Sequence, residues 1–346
     1  MTGASAAASP TRVMVFLHSF EPGGVERVAL RLCGAWATDP RLDVRLVMGR
    51  TDGAMQGEAP PGLPLYVIKS GPVPTAAWES IWMMIVLFRH IRRQRPDVLF
   101  AAGNSYAVVA VVMKLLLGRR CPPIVLKISN DLGRADLPQP IRWLYHRWLR
   151  IQGALIDHFT GLAVPMHAEI TQAMGVAGDC VTVIPDPALS ARDLTALAAI
   201  GAARAVAASR RYVAVGRLAA QKNFGLAVDA FASAAQPGDT LAIIGEGGAR
   251  RQIEARIKAL GVEASVRLPG HGAVMPALAE ADVFVLSSDY EALPAVVVEA
   301  LASGLPVVAT DCCVSMCSLV GDFGTVVPRR DAAALATAMA EQALLT

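Results

Sequence analysis

Residues 281–311 read ADVFVLSSDYEALPAVVVEALASGLPVVATD, and their pattern decides what fold to expect of the chain. Val283-Phe284-Val285-Leu286 is a short continuous apolar run, as in a parallel strand covered on both faces. Ser287 to Tyr290 are polar and mark a loop. Pro294 falls where a helix can open, since its missing N–H would lack a partner there anyway. Val297, Val298, Leu301 and Ala302 recur at helical spacing, Gly304 stops the helix, and Pro306-Val307-Val308-Ala309 begins the next strand. Two carboxylates bracket the turn, Glu291 just before the helix and Glu299 inside it, eight positions apart.

A strand–loop–helix unit of this kind can cradle a ligand. The free N–H groups of a helix start favour an anion, and ligands of open α/β sheets lie at the strand ends. A carboxylate on each side can accept hydrogen bonds from sugar hydroxyls. A nucleoside diphosphate-sugar has that layout of ribose, diphosphate and hexose. The plainer alternative is a simple βαβ unit with two solvated glutamates.

The stretch resembles the E-x7-E signature of retaining GT-B glycosyltransferases of family four, written EGxP/G-xxxx-E-A. Here it stands as Glu291-Ala292-Leu293-Pro294, then Glu299-Ala300, followed by Leu301-Ala302-Ser303-Gly304-Leu305-Pro306. Ala292 occupies a position where that family usually has glycine, a constraint on the loop if positive φ is required there.

Composition agrees with a large α/β protein. The 346 residues suit two domains, each able to bury its own core. With 54% hydrophobic but only 5% aromatic residues, close helix–sheet packing is expected and extended disorder is not. A net charge of +3 gives no footprint for nucleic acid. Cys312, Cys313 and Cys317 cluster without a histidine or fourth cysteine beside them, so a zinc site is not expected. Small reduced thiols point to the cytoplasm. Met1 to Pro10 reads as a loose tail, not a signal peptide, and no apolar run reaches the roughly 18–20 residues that span a bilayer.

Along the first half, strands are expected at Arg12–His18, Asp43–Met48, Leu65–Ile68, Asp97–Ala101, Ile124–Ser129, Phe159–Val164 and Val181–Ile184. Ser19 to Gly24 form a glycine-bearing turn before a helix, and Gly23-Gly24-Val25-Glu26 resembles the family's GGxE element. It is not the G-x-G-x-x-G dinucleotide fingerprint. Trp78 to Arg93 reads as a helix, apolar nearly all round, with buried packing the leading explanation and membrane contact the minor one. Ser129-Asn130-Asp131 stands where family members commonly carry a histidine near the transferred sugar, and Asn130 or Asp131 would bond the sugar instead; an Asx turn or cap explains them equally well. Between Ile141 and Ile151 an apolar stripe of Ile141, Leu144, Tyr145, Trp148 and Leu149 opposes Arg142, His146, Arg147 and Arg150, with Trp143 among the cations. Ordinary packing with a solvated basic face competes there with contact to an anionic lipid surface. Ile184-Pro185-Asp186-Pro187 resembles the family's I-P-N-P element leading into the linker.

The second half opens with Tyr212–Val215 and Gly216-Arg217-Leu218-Ala219-Ala220-Gln221-Lys222-Asn223. Two cations lie between a strand end and an expected cap at Asn223. Fixed cations there would stabilise a departing diphosphate more than the bound ground state. The run resembles the family's G-R-x-x-x-x-K-N/G element. Further strands are expected at Leu241–Ile244, leading into Gly245-Glu246-Gly247, and at Ser265–Leu268 and Gly324–Pro328, with a helix from Asp331 to Leu345.

The resemblance runs from Val13 to the C-terminus and is strongest from Val213 to Asp311. It implies an α/β GT-B architecture of two Rossmann-like domains facing across a cleft. Residues 11–190 would be the acceptor-side domain, 191–210 a linker and 211–346 the nucleotide-sugar-binding domain. Relatives continue into a last helix, so a short member or a fragment is expected. The implied chemistry is retaining transfer of a hexose from a nucleotide-sugar, UDP favoured over GDP, without metal or cofactor. The acceptor would be a glycan or lipid-linked hydroxyl of cell-surface polysaccharide or glycolipid synthesis, met in the cytoplasm or at the inner membrane face. Arg217 and Lys222 would hold the diphosphate, helped by Gly23, Gly24, Gly216 and the turn Leu293, Pro294, Ala295 and Val296. Glu299 would bind ribose, and Glu291 with Asn130 the donor sugar. No protein base is evident, which fits a leaving phosphate oxygen that takes the acceptor proton. A catalytically silent scaffold that binds nucleotide or a protein partner, and a nucleotide-sugar epimerase, are the alternatives.

Overall fold

A computed structural model describes residues 9–21, 23–67, 78–134, 136–186, 188–204 and 209–342. Most of the N-terminal tail, Ile68, Pro187, part of the expected linker and the end of the last helix lie outside the described residues. The chain divides between residues 187 and 188 into two compact units.

The first unit contains β1 (Thr11–Leu17), α1 (Gly24–Ala37), β2 (Leu42–Met48), β3 (Leu65–Val67), α2 (Glu79–Gln94), β4 (Val98–Ala101) and α3 (Ala107–Leu117). It continues through β5 (Ile124–Lys127), α4 (Gln139–Leu155), β6 (His158–Gly161), α5 (Val164–Met174) and β7 (Val181–Val183). Its sheet is parallel, ordered β3-β2-β1-β4-β5-β6-β7. The order reverses at β1, and a reversal leaves a crevice beyond the carboxyl ends of the two strands beside it.

The second unit contains α6 (Ala191–Ala202), β8 (Arg211–Val215), α7 (Phe224–Ala234), β9 (Thr240–Ile244), α8 (Arg250–Leu260), β10 (Val266–Gly270) and α9 (Val274–Ala279). After these come β11 (Val283–Leu286), α10 (Ala295–Ala302), β12 (Val307–Thr310), α11 (Met316–Val320), β13 (Gly324–Val327) and α12 (Ala332–Glu341). This sheet is also parallel, ordered β10-β9-β8-β11-β12-β13, and reverses at β8.

Every residue of β11 and β12 is buried, because helices cover both faces of the sheet. One face is packed by Phe231, Ile253 and Met339, the other by Leu197, Leu278 and Val297. Each such side chain contributes about 1.5–3 kcal/mol by leaving water. Leu197 belongs to α6, inside the stretch expected to be a linker. That helix is fixed by a capping box in which Ser190 Oγ accepts from the Asp193 amide at 3.1 Å and Asp193 accepts from the Ser190 amide at 2.9 Å.

Two expectations need correction. The strand expected to reach Val164 stops at Gly161, and Val164 opens α5 with Pro165 in its first turn. On α4 the buried positions are Leu149 and Gln152, whereas Ile141 and Leu144 of the expected packing stripe are 52% and 61% exposed.

Candidate active site

Arg217 and Lys222 follow β8, and Glu291 follows β11, so all three come from the pair of strands beside the sheet reversal. Gly216 and Gly245, one residue beyond β8 and β9, both take left-handed backbone, with φ of +157° and +152°. The Gly216 amide donates to Ile244 O at 3.0 Å and the Gly245 amide to Gly270 O at 2.9 Å. The Leu218 amide donates to Glu246 O at 2.9 Å, which ties the segment bearing Arg217 to the Gly245-Glu246-Gly247 turn.

Lys222 Nζ donates to Glu291 Oε1 at 2.6 Å, and both side chains are largely buried, at 17% and 12% exposure. Ser288 Oγ donates to the same Oε1 at 2.9 Å. Among the described residues Glu291 Oε2 has no hydrogen-bond partner, so one carboxylate oxygen is committed and the other is available. Backbone bonds hold the two loops in register: the Asp289 amide donates to Gln221 O at 2.8 Å, and the Glu291 amide to Cys312 O at 2.9 Å. Thr310 Oγ1 braces Ser288 by donating to its carbonyl at 2.6 Å. Arg217 is exposed, and among the described residues its guanidinium makes no ion pair.

Asn223 precedes α7 but does not cap it through its side chain. Its backbone is left-handed, with φ +44°, and its side-chain Nδ2 donates to Asp289 Oδ1 at 3.1 Å. Arg330 closes on Asp289 Oδ2 through Nε at 3.1 Å and a terminal nitrogen at 2.8 Å. Ala292 is not among the non-glycine residues with positive φ, so alanine fits this loop without strain. Pro294 caps α10 in extended backbone, and the amides of Ala295 and Val296 open the helix. Glu299, half-buried, lies one turn before the end of α10.

In the first unit Gly23 caps α1, and the Glu26 carboxylate stands in the space that a Gly23 side chain would need. Tyr106 donates to Glu26 Oε1 at 2.8 Å. His18 stacks on the Tyr106 ring with centroids 4.8 Å apart, and burial, aided by Arg50, pushes its imidazole down to about 4. A carboxylate thus occupies one side of the turn expected to receive phosphate. Gly24 has open space around it. Asn130 is half-buried after β5, and Asp131 forms an Asx-type turn by accepting from the Arg134 amide at 3.0 Å.

From α5, Glu169 reaches the same loop and accepts from the Leu132 amide at 2.9 Å. Burial pushes its carboxyl up to about 7; the Asp131 carboxylate pushes the same way and the Leu132 amide opposes. Between about pH 4.5 and 7 the folded chain therefore holds a proton that the unfolded chain has released. This contribution to stability is full below the window and lost as pH rises through it. Glu169→Gln replaces the protonated acid with an uncharged group and removes the dependence. Urea unfolding at about pH 5 and about pH 8 should show the variant gaining on wild type by on the order of 2 kcal/mol. An unchanged gap between the two proteins would mean that Glu169 titrates normally.

A family model described as Glycosyl transferase 4-like domain matches residues 23–187, and one described as Glycosyl transferases group 1 matches residues 209–343. The chain belongs to the glycosyl transferases of group 1. It is 33% identical over 118 residues to the amylovoran biosynthesis glycosyltransferase AmsD of Erwinia amylovora, covering 34% of each chain. It is 37% identical over 99 residues to the lipopolysaccharide core biosynthesis glycosyltransferase LpsE of Rhizobium meliloti, covering 28% of each. The match thus spans about a third or less of these relatives' length. Among solved structures, HepE of Anabaena in complex with UDP and glucose is similar in fold, with a TM-score of 0.70, 18% identity, and coverage of 95% of this chain and 89% of that one. WaaG, a glycosyltransferase involved in lipopolysaccharide biosynthesis, is similar with a TM-score of 0.68 at 18% identity, covering 95% and 90%.

Within this group 1 chain, the structure brings together Lys222 and Glu291, which the sequence separates by 69 positions. It adds Ser288, Asp289, Arg330, Glu169 and His18, none of which stood out in the sequence. The signal for Ser288 was a serine pair at the end of a wholly apolar strand, where a polar residue meets the crevice. Arg330 and Glu169 carried no local signal, because their partners lie 41 and 37 positions away.

Proposed function

We propose that the protein is a retaining transferase that moves a hexose from a nucleoside diphosphate-sugar, UDP- favoured over GDP-, to a hydroxyl of a glycan or lipid-linked acceptor. The observation that carries this reading is the largely buried Lys222–Glu291 pair at the second sheet's reversal, with the exposed cation Arg217 on the same loop. Arg217 and Lys222 take the diphosphate, the opening amides of α10 add partial positive charge, Glu299 takes the ribose hydroxyls and Glu291 Oε2 a hydroxyl of the donor sugar. The ammonium stabilises charge that grows on the departing phosphate, and that phosphate oxygen receives the acceptor proton. The UDP and glucose held by HepE support the donor class. AmsD and LpsE, named for amylovoran and lipopolysaccharide core synthesis, support an envelope glycan as product. The exposed Trp143 and Leu144 on α4, beside Arg147, which lies 5.3 Å from the Trp143 ring, support contact with a membrane surface that presents a lipid-linked acceptor.

Calorimetric titration of UDP and GDP into wild type, Arg217→Ala and Glu299→Ala tests the donor site. Wild type should bind UDP the more tightly, and each variant should weaken it by about 1.5–3 kcal/mol, roughly ten- to a hundredfold. Failure of wild type to bind either nucleotide would overturn the reading. Nucleotide binding without donor hydrolysis or sugar transfer would instead favour a silent scaffold.

A further inference from the structure

We propose that an arginine-rimmed cavity of the first unit, between the carboxyl ends of α2 and α3, binds a phosphate or diphosphate group carried on an apolar body. The cavity measures about 950 Å³ and lies at the amino ends of β4 and β5, the opposite end of the sheet from the Asn130 loop. Four exposed arginines line it: Arg92 on α2, Arg95 just after α2, and Arg119 and Arg120 in the single turn after α3. None of its described lining residues is acidic. Two carboxylates beside it are engaged elsewhere: Asp97, next to Pro96, pairs with Arg12 at 2.8 Å, and Asp157, which accepts from the Ile124 amide, pairs with Lys114 at 2.6 Å. Among the described residues none of the four arginines makes an ion pair, and Arg92 rests over the Phe88 ring at 5.6 Å.

A helix carboxyl end attracts one or two cations by itself. Four arginines lining one concave surface with no acidic neighbour in its wall exceed that need, and an anion entering it would offset their like charges. Guanidinium forks match phosphate oxygens in pairs and stay charged at every working pH. The remaining wall is apolar, with Phe88 partly buried and Leu116 63% exposed. That wall suits the hydrocarbon portion of a phosphate ester, and a volume well beyond a bare phosphate leaves room for it. The cavity uses none of the donor-site residues.

The test compares wild type with an Arg92→Gln, Arg119→Gln double variant as full chains. Titrated with pyrophosphate while saturating UDP fills the donor site, the variant should bind at least about tenfold more weakly than wild type, with its melting temperature and its UDP titration unchanged. Flotation with vesicles of phosphatidylglycerol in phosphatidylcholine identifies the source. Wild type that floats while the variant does not makes the phosphate a lipid headgroup; loss of pyrophosphate binding with flotation absent, or equal in both proteins through α4, makes it a soluble one. Arg120→Glu alone, on an exposed turn, replaces the pair if the pair unfolds. Wild-type affinity for both probes in the variant, or no binding of either probe by wild type, overturns the proposal. Because UDP affinity is read separately, failure here and failure of the donor site are distinguishable.

Discussion

Lys222→Ala should lower kcat/KM for sugar transfer by about a hundred- to a thousandfold, the usual loss when one preorganised charge leaves a developing anion. Two effects add. The ammonium has three N–H donors and spends one on Glu291 Oε1 at 2.6 Å, so two remain for phosphate oxygens. Its 17% exposure keeps water from screening that charge. Removal also uncovers the Glu291 carboxylate, 12% exposed and left with the Ser288 hydroxyl alone, which then repels the diphosphate. A double variant, Lys222→Ala with Glu291→Gln, should therefore regain part of the UDP affinity lost by Lys222→Ala while remaining poor in turnover. Calorimetry with UDP and a donor-turnover assay on the four proteins of this cycle decide the matter. If Lys222→Ala binds UDP as wild type does, the ammonium is only the counter-ion of Glu291, and the diphosphate must rest on Arg217 and α10.

That pair also marks where the sequence stopped being readable. The strands of both sheets could be located in advance because a strand buried on both faces is a continuous apolar run, as in Val283 to Leu286. The parallel α/β class follows from the alternation of such runs with helical patterns. Side chains that act across long separations were not readable as pairs. Lys222 and Glu291 each read as ligand-binding residues, and the structure pairs them with each other. Asn223 has the residue type of a helix cap, but its backbone is left-handed and its side-chain Nδ2 bonds Asp289, a partner that no local pattern announces. On α4 the wheel gave the correct face for Leu149 but not the extent of its cover. Periodicity does not say how far neighbouring helices reach, and Ile141 and Leu144 lie beyond them. Glu169 gave no hint of its altered titration, which arises from burial against a loop closed by Asp131.

Gly245→Ala should destabilise the second unit by about 3 kcal/mol or more, since an unfavourable φ alone costs about 1–3 kcal/mol and a backbone overlap adds to it. Gly245 has φ +152°, and a Cβ there would overlap the Gly216 carbonyl oxygen. The overlap is with backbone, so no side chain can swing away to relieve it. Relief requires the end of β8 to move, and Arg217 is the next residue after Gly216. Movement is resisted by the Gly216–Ile244 and Leu218–Glu246 hydrogen bonds, at 3.0 and 2.9 Å. Gly216 has little slack of its own, because a Cβ on it would come within 3.1 Å of Lys222 Cε. The substitution should thus cost stability and UDP affinity together, even under conditions where the variant is fully folded. Gly248→Ala is the control: it lies in the same loop with nothing within 4 Å of its added carbon, and should be nearly neutral in both readouts. Urea unfolding and UDP calorimetry on the two variants separate the cases. A Gly245→Ala protein that unfolds early but, while folded, binds UDP normally would show that Arg217 keeps its place without the close approach of β8 and β9. Loss of both would tie the placement of the diphosphate cation to the absence of a single methyl group.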